Sequence, residues 1–172
     1  MNTLITHIKT HINEAHQWVN KLIAGLDEDK WFVTPQVIDT NIAWQVGHLT
    51  LNQYYYTVVL LHGPDIAFAE EMDMKKYSAL FANGQTKNEL VNRITVHELE
   101  DKWHLMQDHT IESLADLQDS DLNTEIINLA KPHPFVKTKE NSISWNIKHT
   151  MWHCGQIGMI KRVVDKRYDF GF

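Results

Sequence analysis

Cysteine is almost missing from this chain: Cys154 stands alone among 172 residues. One thiol excludes an internal disulfide and suits a reducing, cytoplasmic setting. It also excludes a cysteine-rich structural zinc site. Only 4 prolines and 7 glycines interrupt the chain, which favours long helices over short strands joined by turns. No run of about 18 apolar residues occurs, so no segment is long enough to cross a membrane as a helix. The opening MNTLITHIKTHINEAHQW is too polar for a signal peptide. Positive charge is scarce as well: 16 Lys and Arg face 22 Asp and Glu, a formal net charge of -6. No Lys/Arg cluster offers a local exception, so nucleic acid is not an expected partner.

What remains reads as one domain, residues 1–172, of ordinary apolar content and enough length to bury a core. In the first 26 residues Ile5, Ile8, Ile12, Ala15, Val19, Leu22, Ile23 and Leu26 recur at helical intervals and describe one buried stripe. A loop with Pro35 leads to a second helix, N-capped by Asp39 or Thr40 and stopped by Gly63-Pro64. Its expected inward face is Trp44, His48, Leu51, Asn52, Tyr55 and Val59. The stretch from Gly63 to Gln85 is irregular, with a short helical turn expected over Met74–Phe81. About 23 extended residues reach roughly 75 Å, which lets the chain run back along a bundle and makes helices 2 and 3 parallel. Thr86-Lys87-Asn88-Glu89 is a capping box for a third helix running to about Leu117, with Val96, Leu99, Trp103, Met106, Thr110 and Leu114 on its core face. LNTEIINL and PFVKTK form either a short hairpin or packed loop. A fourth helix starts at Asn141 or Ser142 and ends among Lys161, Arg162, Lys166 and Arg167, cations that suit a helix C-terminus. The fold class is therefore all-α: a four-helix bundle with two long crossover connections.

Histidine is what the chain has in quantity, with 11. Chance alone gives roughly 0.6 H-x3-H pairs in such a chain, so the spacing by itself says little. His7 and His11 illustrate this, sharing a partly polar face with Leu4, Glu14 and Trp18. His149 and His153 share a face with Trp145, Trp152, Gln156 and Ile160, which reads as buried. Two neutral imidazoles there need partners or a metal, because an unpaired buried polar group costs about 1–3 kcal/mol. His48 supplies a third donor from the second helix, and Ile42, Trp44 and His48 align with Ile143, Trp145 and His149. The three histidines His48, His149 and His153 are the expected ligands of one divalent ion. His16 belongs to the core or supports the ligands from behind, and Cys154 lies about 100° around the helix from His153 and packs.

HTMWHCGQI at His149 to Ile157, preceded a hundred residues earlier by GHL at Gly47 to Leu49, resembles the DinB-like superfamily of DNA-damage-inducible proteins. The resemblance covers nearly the whole chain in element order, with specific motif matches confined to helices 2 and 4. It implies an up-down-down-up four-helix bundle, a divalent metal on His48, His149 and His153, and a homodimer. Gln156 matches the end of the motif as a residue that shapes the helix. Relatives often carry an acid one turn after the first histidine, where this chain has Asn52. Some relatives are transferases and isomerases that use low-molecular-weight thiols such as bacillithiol and mycothiol.

Three neutral ligands leave a divalent ion with open positions and undiminished charge. Zinc or nickel are the first expectations, although imidazoles also suit iron and copper. A hydrolase needs water brought from a pKa of about 15.7 to about 7, worth roughly 12 kcal/mol, usually with a general base. A thiol needs bringing only from about 8.5 to below 7, roughly 2–3 kcal/mol, and becomes the nucleophile itself. No H-E-x-x-H glutamate accompanies these histidines, so the expected activity is thiol transfer to a small-molecule substrate. A metal-dependent hydrolase and a non-catalytic, metal-stabilised stress-response or binding module are the alternatives. Tyr55 is placed on the ligand face, either to touch substrate or to pack as an aromatic.

Overall fold

Eight apolar side chains spaced along the first 26 residues set the first helix, and all eight are buried: Ile5, Ile8, Ile12, Ala15, Val19, Leu22, Ile23 and Leu26. The computed structural model describes residues 3–83, 90–126 and 133–171. Helix α1 spans Thr3–Ile23 and ends where Gly25 takes a φ of +65°, a left-handed conformation that favours glycine. A short turn, α2 (Glu28–Trp31), buries Trp31 completely.

Helix α3 (Ile42–Gln53) is capped by Asn41, whose side chain accepts from the Trp44 N–H at 2.8 Å. The cap is therefore neither Asp39 nor Thr40. The inward face also differs from expectation. Thr40 to Thr50 are all buried, while Leu51, Asn52, Tyr55 and Val59 are only partly so. Ile42, Val46 and Leu49 carry the core instead, because α3 is packed on several sides at once. It passes into a π-helical segment, Tyr54–Val59. The carbonyls there find side-chain donors: Ser142 Oγ donates to Tyr56 O at 2.7 Å and Ser113 Oγ to Thr57 O at 2.9 Å. One more turn, α4 (Leu60–His62), ends at Gly63 with φ +92°.

The following segment holds two short helices. α6 (Met74–Phe81) has the expected bounds, and α5 (Ile66–Glu71), capped by Asp65, was not anticipated. The proposed capping box at residues 86–89 lies outside the described residues. Residues 90–95 are not α-helical, Asn92 sits at φ +67°, and α7 runs Val96–Ser113 behind a Thr95 cap. The third helix is thus shorter at both ends than its pattern suggested, but its core face is as expected: Val96, Leu99, Trp103, Met106, Thr110 and Leu114 are all buried.

A 3-10 turn (Asp121–Asn123) and one antiparallel bridge between Glu125 and Thr138 lead into α8 (Lys139–Val164). Of the two arrangements expected here, a short hairpin or packed loop, the described residues show that bridge with its two backbone bonds. Thr138 caps α8 through its hydroxyl, placing the start two to three residues earlier than expected. The molecule is all-helical, with no strand among the described residues.

Side-chain registers relate the long helices. α3 and its continuation meet α7 in the same sequence order, Gln53 with Thr110 and Thr57 with Ser113. They meet α8 in reverse order: Gln45 with His153, Gln53 with Asn146 and Tyr56 with Ser142. α1 runs opposite to α7: Asn20 near its end meets Trp103 and Gln107 of α7, while Ile5 near its start meets Asp119, beyond the end of α7.

Candidate metal centre

Where α3 crosses α8, three imidazoles converge. His48, His149 and His153 offer ring nitrogens that all lie within 4.8 Å of one another. The two outer pairs of ring centroids, His48 to His149 and His48 to His153, are 5.4 and 5.0 Å apart. His48 and His153 are buried and His149 is half-buried. Each helix adds a tryptophan one turn earlier, on the same face. The Trp44 ring stacks on His48 at 4.5 Å, and the Trp145 ring on His149 at 6.2 Å. The echo between Ile42/Trp44/His48 and Ile143/Trp145/His149 is thus a shared packing arrangement, with both isoleucines fully buried.

The proton positions on two rings follow from their neighbours. His48 Nδ1 lies 2.7 Å from the Phe81 carbonyl, which can only accept, so Nδ1 carries the proton. His153 Nδ1 faces Gln45 Oε1 in a close hydrogen bond. The Gln45 amide is oriented by its own Nε2, which donates to Thr40 Oγ1 at 2.9 Å. Both rings therefore turn an Nε2 lone pair toward the shared centre, the tautomer that ligating histidines are held in by such outer partners. His149 Nε2 is 3.0 Å from His153 Nε2, and Asn52 Nδ2 donates to His48 Nε2 at 3.0 Å. The buried His149 Nδ1 has no hydrogen-bond partner among the described residues.

Gly47 explains why a glycine precedes His48. A Cβ there would lie 2.4 Å from the Phe81 ring, so the glycine lets Phe81 close over α3 and deliver its carbonyl to His48.

Burial dominates the electrostatics. It pushes His149 down to about 4, with the neighbouring His48 adding to the effect. It pushes His153 down to about 3, helped by His149 and then His48. His48 is also lowered by burial, against the opposing bond to Phe81. All three are neutral at neutral pH, the form a metal requires.

A cavity of about 470 Å³ opens onto this centre. Trp44, Trp145 and Trp152 line it with Tyr56, and Asp39 supplies a carboxylate. The expected Tyr55 is displaced from this lining by Tyr56. The π-helical segment advances fewer degrees per residue than an α-helix, so the next tyrosine along takes the position. Asn52 does border the centre, and Gln156 lines the cavity beside His153. Sequence reasoning did not find Gln45, Thr40 and Phe81 as parts of the site, Thr40 being read only as a helix cap. A buried glutamine three residues before His48 is the one signal that could have found them.

Of the other histidines, His133 stands behind the cavity wall, with Nε2 3.3 Å from the Tyr56 hydroxyl and its ring edge-on to Trp145. His16 is buried in the core, where Gln53 Nε2 donates to its Nε2 at 2.7 Å, and burial pushes its pKa down to about 4. Gln53 in turn accepts from Thr110 and Asn146, so His16 belongs to a polar network joining the helices. His7 and His11 are exposed, with Nε2 atoms 2.9 Å apart and Glu14 as a neighbour. Cys154 is buried on another face of α8, and burial pushes its thiol up to about 12, which suits a packing role.

The family profile of the DinB superfamily matches residues 11–157. This chain belongs to the DinB superfamily. Its fold is similar to that of a crystal structure of a conserved protein from Enterococcus faecalis, with a TM-score of 0.72 at 15% identity, over 94% of this chain and 96% of that one. No curated protein matches. The DinB-superfamily segment contains both halves of the histidine centre, His48 from α3 and the His149/His153 pair from α8.

The donor set suits a divalent metal. Two nitrogens bound at about 2.0–2.1 Å to one tetrahedral ion sit roughly 3.3 Å apart; the His149 and His153 Nε2 atoms are 3.0 Å apart. Neutral, mostly buried imidazoles, two of them with fixed Nδ1 protons, are the donors such an ion takes.

Proposed function

We propose that this DinB-superfamily chain holds one divalent ion, zinc or nickel, on His48, His149 and His153 and acts as a transferase with a low-molecular-weight thiol. The observation that carries the reading is the pair of outer hydrogen bonds. Phe81 O and Gln45 Oε1 fix the protons of His48 and His153 on the far side of each ring, leaving lone pairs for a shared ion. A divalent ion in such a site lowers the pKa of a thiol or water in its open position. The surrounding residues do the rest. Trp44, Trp145 and Trp152 offer indole faces along the cavity for a substrate to pack against. Asn52 offers a neutral donor beside His48, in place of an acid that could take a proton. Tyr56 places a phenol at the cavity wall.

The same reading takes residues 1–172 as one cytoplasmic domain, an up-down-down-up four-helix bundle of α1, α3 with its continuation, α7 and α8. It is supported by the parallel register of α3 with α7 and the reversed registers of α3 with α8 and α1 with α7. Homodimerisation belongs to this reading by resemblance to the family.

The second reading, a hydrolase, is favoured by Asp39, the carboxylate that lines the cavity. Incubation of metal-loaded protein with monochlorobimane and a panel of thiols separates the two. Acceleration with at least one thiol, lost in His153→Ala, is the expected result. No acceleration with any thiol would remove the transferase, and ester hydrolysis sensitive to Asp39→Asn would then establish the alternative.

A further inference from the structure

On the far side of α8 from the histidines, the chain builds a second cavity that the metal chemistry does not use. It measures about 490 Å³, within the roughly 300–1,000 Å³ usual for small-molecule sites. One wall is aromatic: Tyr168 and Phe170, from the segment after α8, fold back on Trp18 of α1 with ring centroids 6.2 and 5.6 Å away. Leu22 and Cys154 lie deeper, both buried. The floor is open because α8 carries glycine there. A Cβ on Gly155 would meet nothing within 4 Å, and one on Gly158 would only touch Leu22 at 3.8 Å. Glycine inside a long helix costs up to about 1 kcal/mol against alanine, and at Gly155 no close contact demands it.

The charged residues that line the cavity are both arginines, and Asp169 in the same segment accepts from Gly171 N–H. Arg162 and Arg167 border the cavity, and among the described residues no hydrogen bond or ion pair engages either guanidinium. Asp165, which lies between them in sequence, is taken by Lys30 at 2.9 Å and by Lys161. Lys21, outside the lining, holds its Nζ 5.0 Å from the ring centroid of Trp18, which is in it. An apolar slot with unengaged guanidinium groups at its edge is complementary to an apolar tail with an anionic head.

We propose that the cavity between α1, the glycine face of α8 and the C-terminal segment binds one single-chain anionic amphiphile, its tail over Gly155 and Gly158 and its head on Arg162 and Arg167. The site is independent of the metal reading, since it lies on a different face of α8 and shares no lining residue with the histidine cavity.

Calorimetric titration with decanoate and with the uncharged decanol tests it, on wild type and two variants. Gly155→Leu fills the floor with a good helix former, and Arg162→Ala/Arg167→Ala removes the head contacts at the exposed rim. Wild type is expected to bind one decanoate, about tenfold more tightly than decanol, from charge-assisted contacts. The double arginine variant is expected to lose that preference while still binding decanol. Gly155→Leu is expected to lose both ligands while keeping wild-type thermal stability. Decanoate binding that survives Gly155→Leu, equal affinity of wild type for acid and alcohol, or no binding by wild type would each overturn the proposal.

Discussion

His7 and His11 on α1 and His149 and His153 on α8 are both i, i+4 pairs, and locally they are almost the same object. Their Nε2 atoms are 2.9 and 3.0 Å apart, and their ring centroids 4.2 and 4.4 Å. The first pair stands in solvent with Glu14 beside it. The second is lowered into a cavity between tryptophans, meets His48 from α3, and has His153 pinned by Gln45. Helical spacing brings two nitrogens together in either place. A third nitrogen, neutral side chains and fixed protons come only from the helix packed opposite.

That contrast can be tested by removing each added ingredient in turn. Loss of a ligand should matter most. His149→Ala is expected to weaken metal binding by more than about 100-fold, beyond the 10–100-fold typical of an outer partner. Competition titration against a chelator reads it, and an affinity within a few-fold of wild type would reduce the buried pair to the status of the exposed one. The outer partner comes next. Gln45→Ala frees His153 Nδ1 and is expected to cost about 10–100-fold in the same titration, with the fold intact by circular dichroism. An unchanged affinity would show that the His153 proton needs no anchor.

Gly47→Ala probes the packing beneath the site. Its Cβ would overlap the fully buried Phe81 ring, and overpacking of this kind costs about 1–3 kcal/mol. Denaturant unfolding should show that loss. A stability equal to wild type would mean that Phe81 moves aside freely and does not hold His48.

The response to acid is graded rather than all-or-none. His149 and His153 have folded values of about 4 and about 3, below the ordinary 6.5. The unfolded chain therefore takes up protons that the folded site refuses. Stability is full above the unfolded value and falls as pH drops from about 6.5 through about 4. Thermal unfolding of metal-free protein should show a melting temperature level above neutral pH and declining through that window. A temperature that stays level down to pH of about 5 would contradict the burial that separates the two pairs.

Much of this was legible in the chain. The α1 stripe and the α7 core face follow from apolar spacing alone, because each helix buries one side against its neighbours. The three converging histidines were legible for the same reason, each sitting on a face rich in apolar or aromatic residues. Three features were not. Tyr56 replaces Tyr55 at the cavity because a π-helical segment shifts the phase, and what stabilises that segment comes from Ser113 and Ser142, distant in sequence. The start of α7 was misplaced because Asn92 in a left-handed conformation and the Thr95 cap outweigh an apolar pattern that continues upstream. The anchors of the site, Gln45 and the Phe81 carbonyl, act through one amide orientation and one backbone oxygen, and neither leaves a periodic trace.

Metal content bears most directly on the claim that a partner helix, and not spacing, makes the site. Wild type, His153→Ala and His7→Ala/His11→Ala would be purified in parallel without added chelator and their bound divalent metal measured by mass spectrometry. The expected result is one ion per chain in wild type and in the α1 variant, and none in His153→Ala. Metal retained by His153→Ala, or lost from the α1 variant, would contradict it.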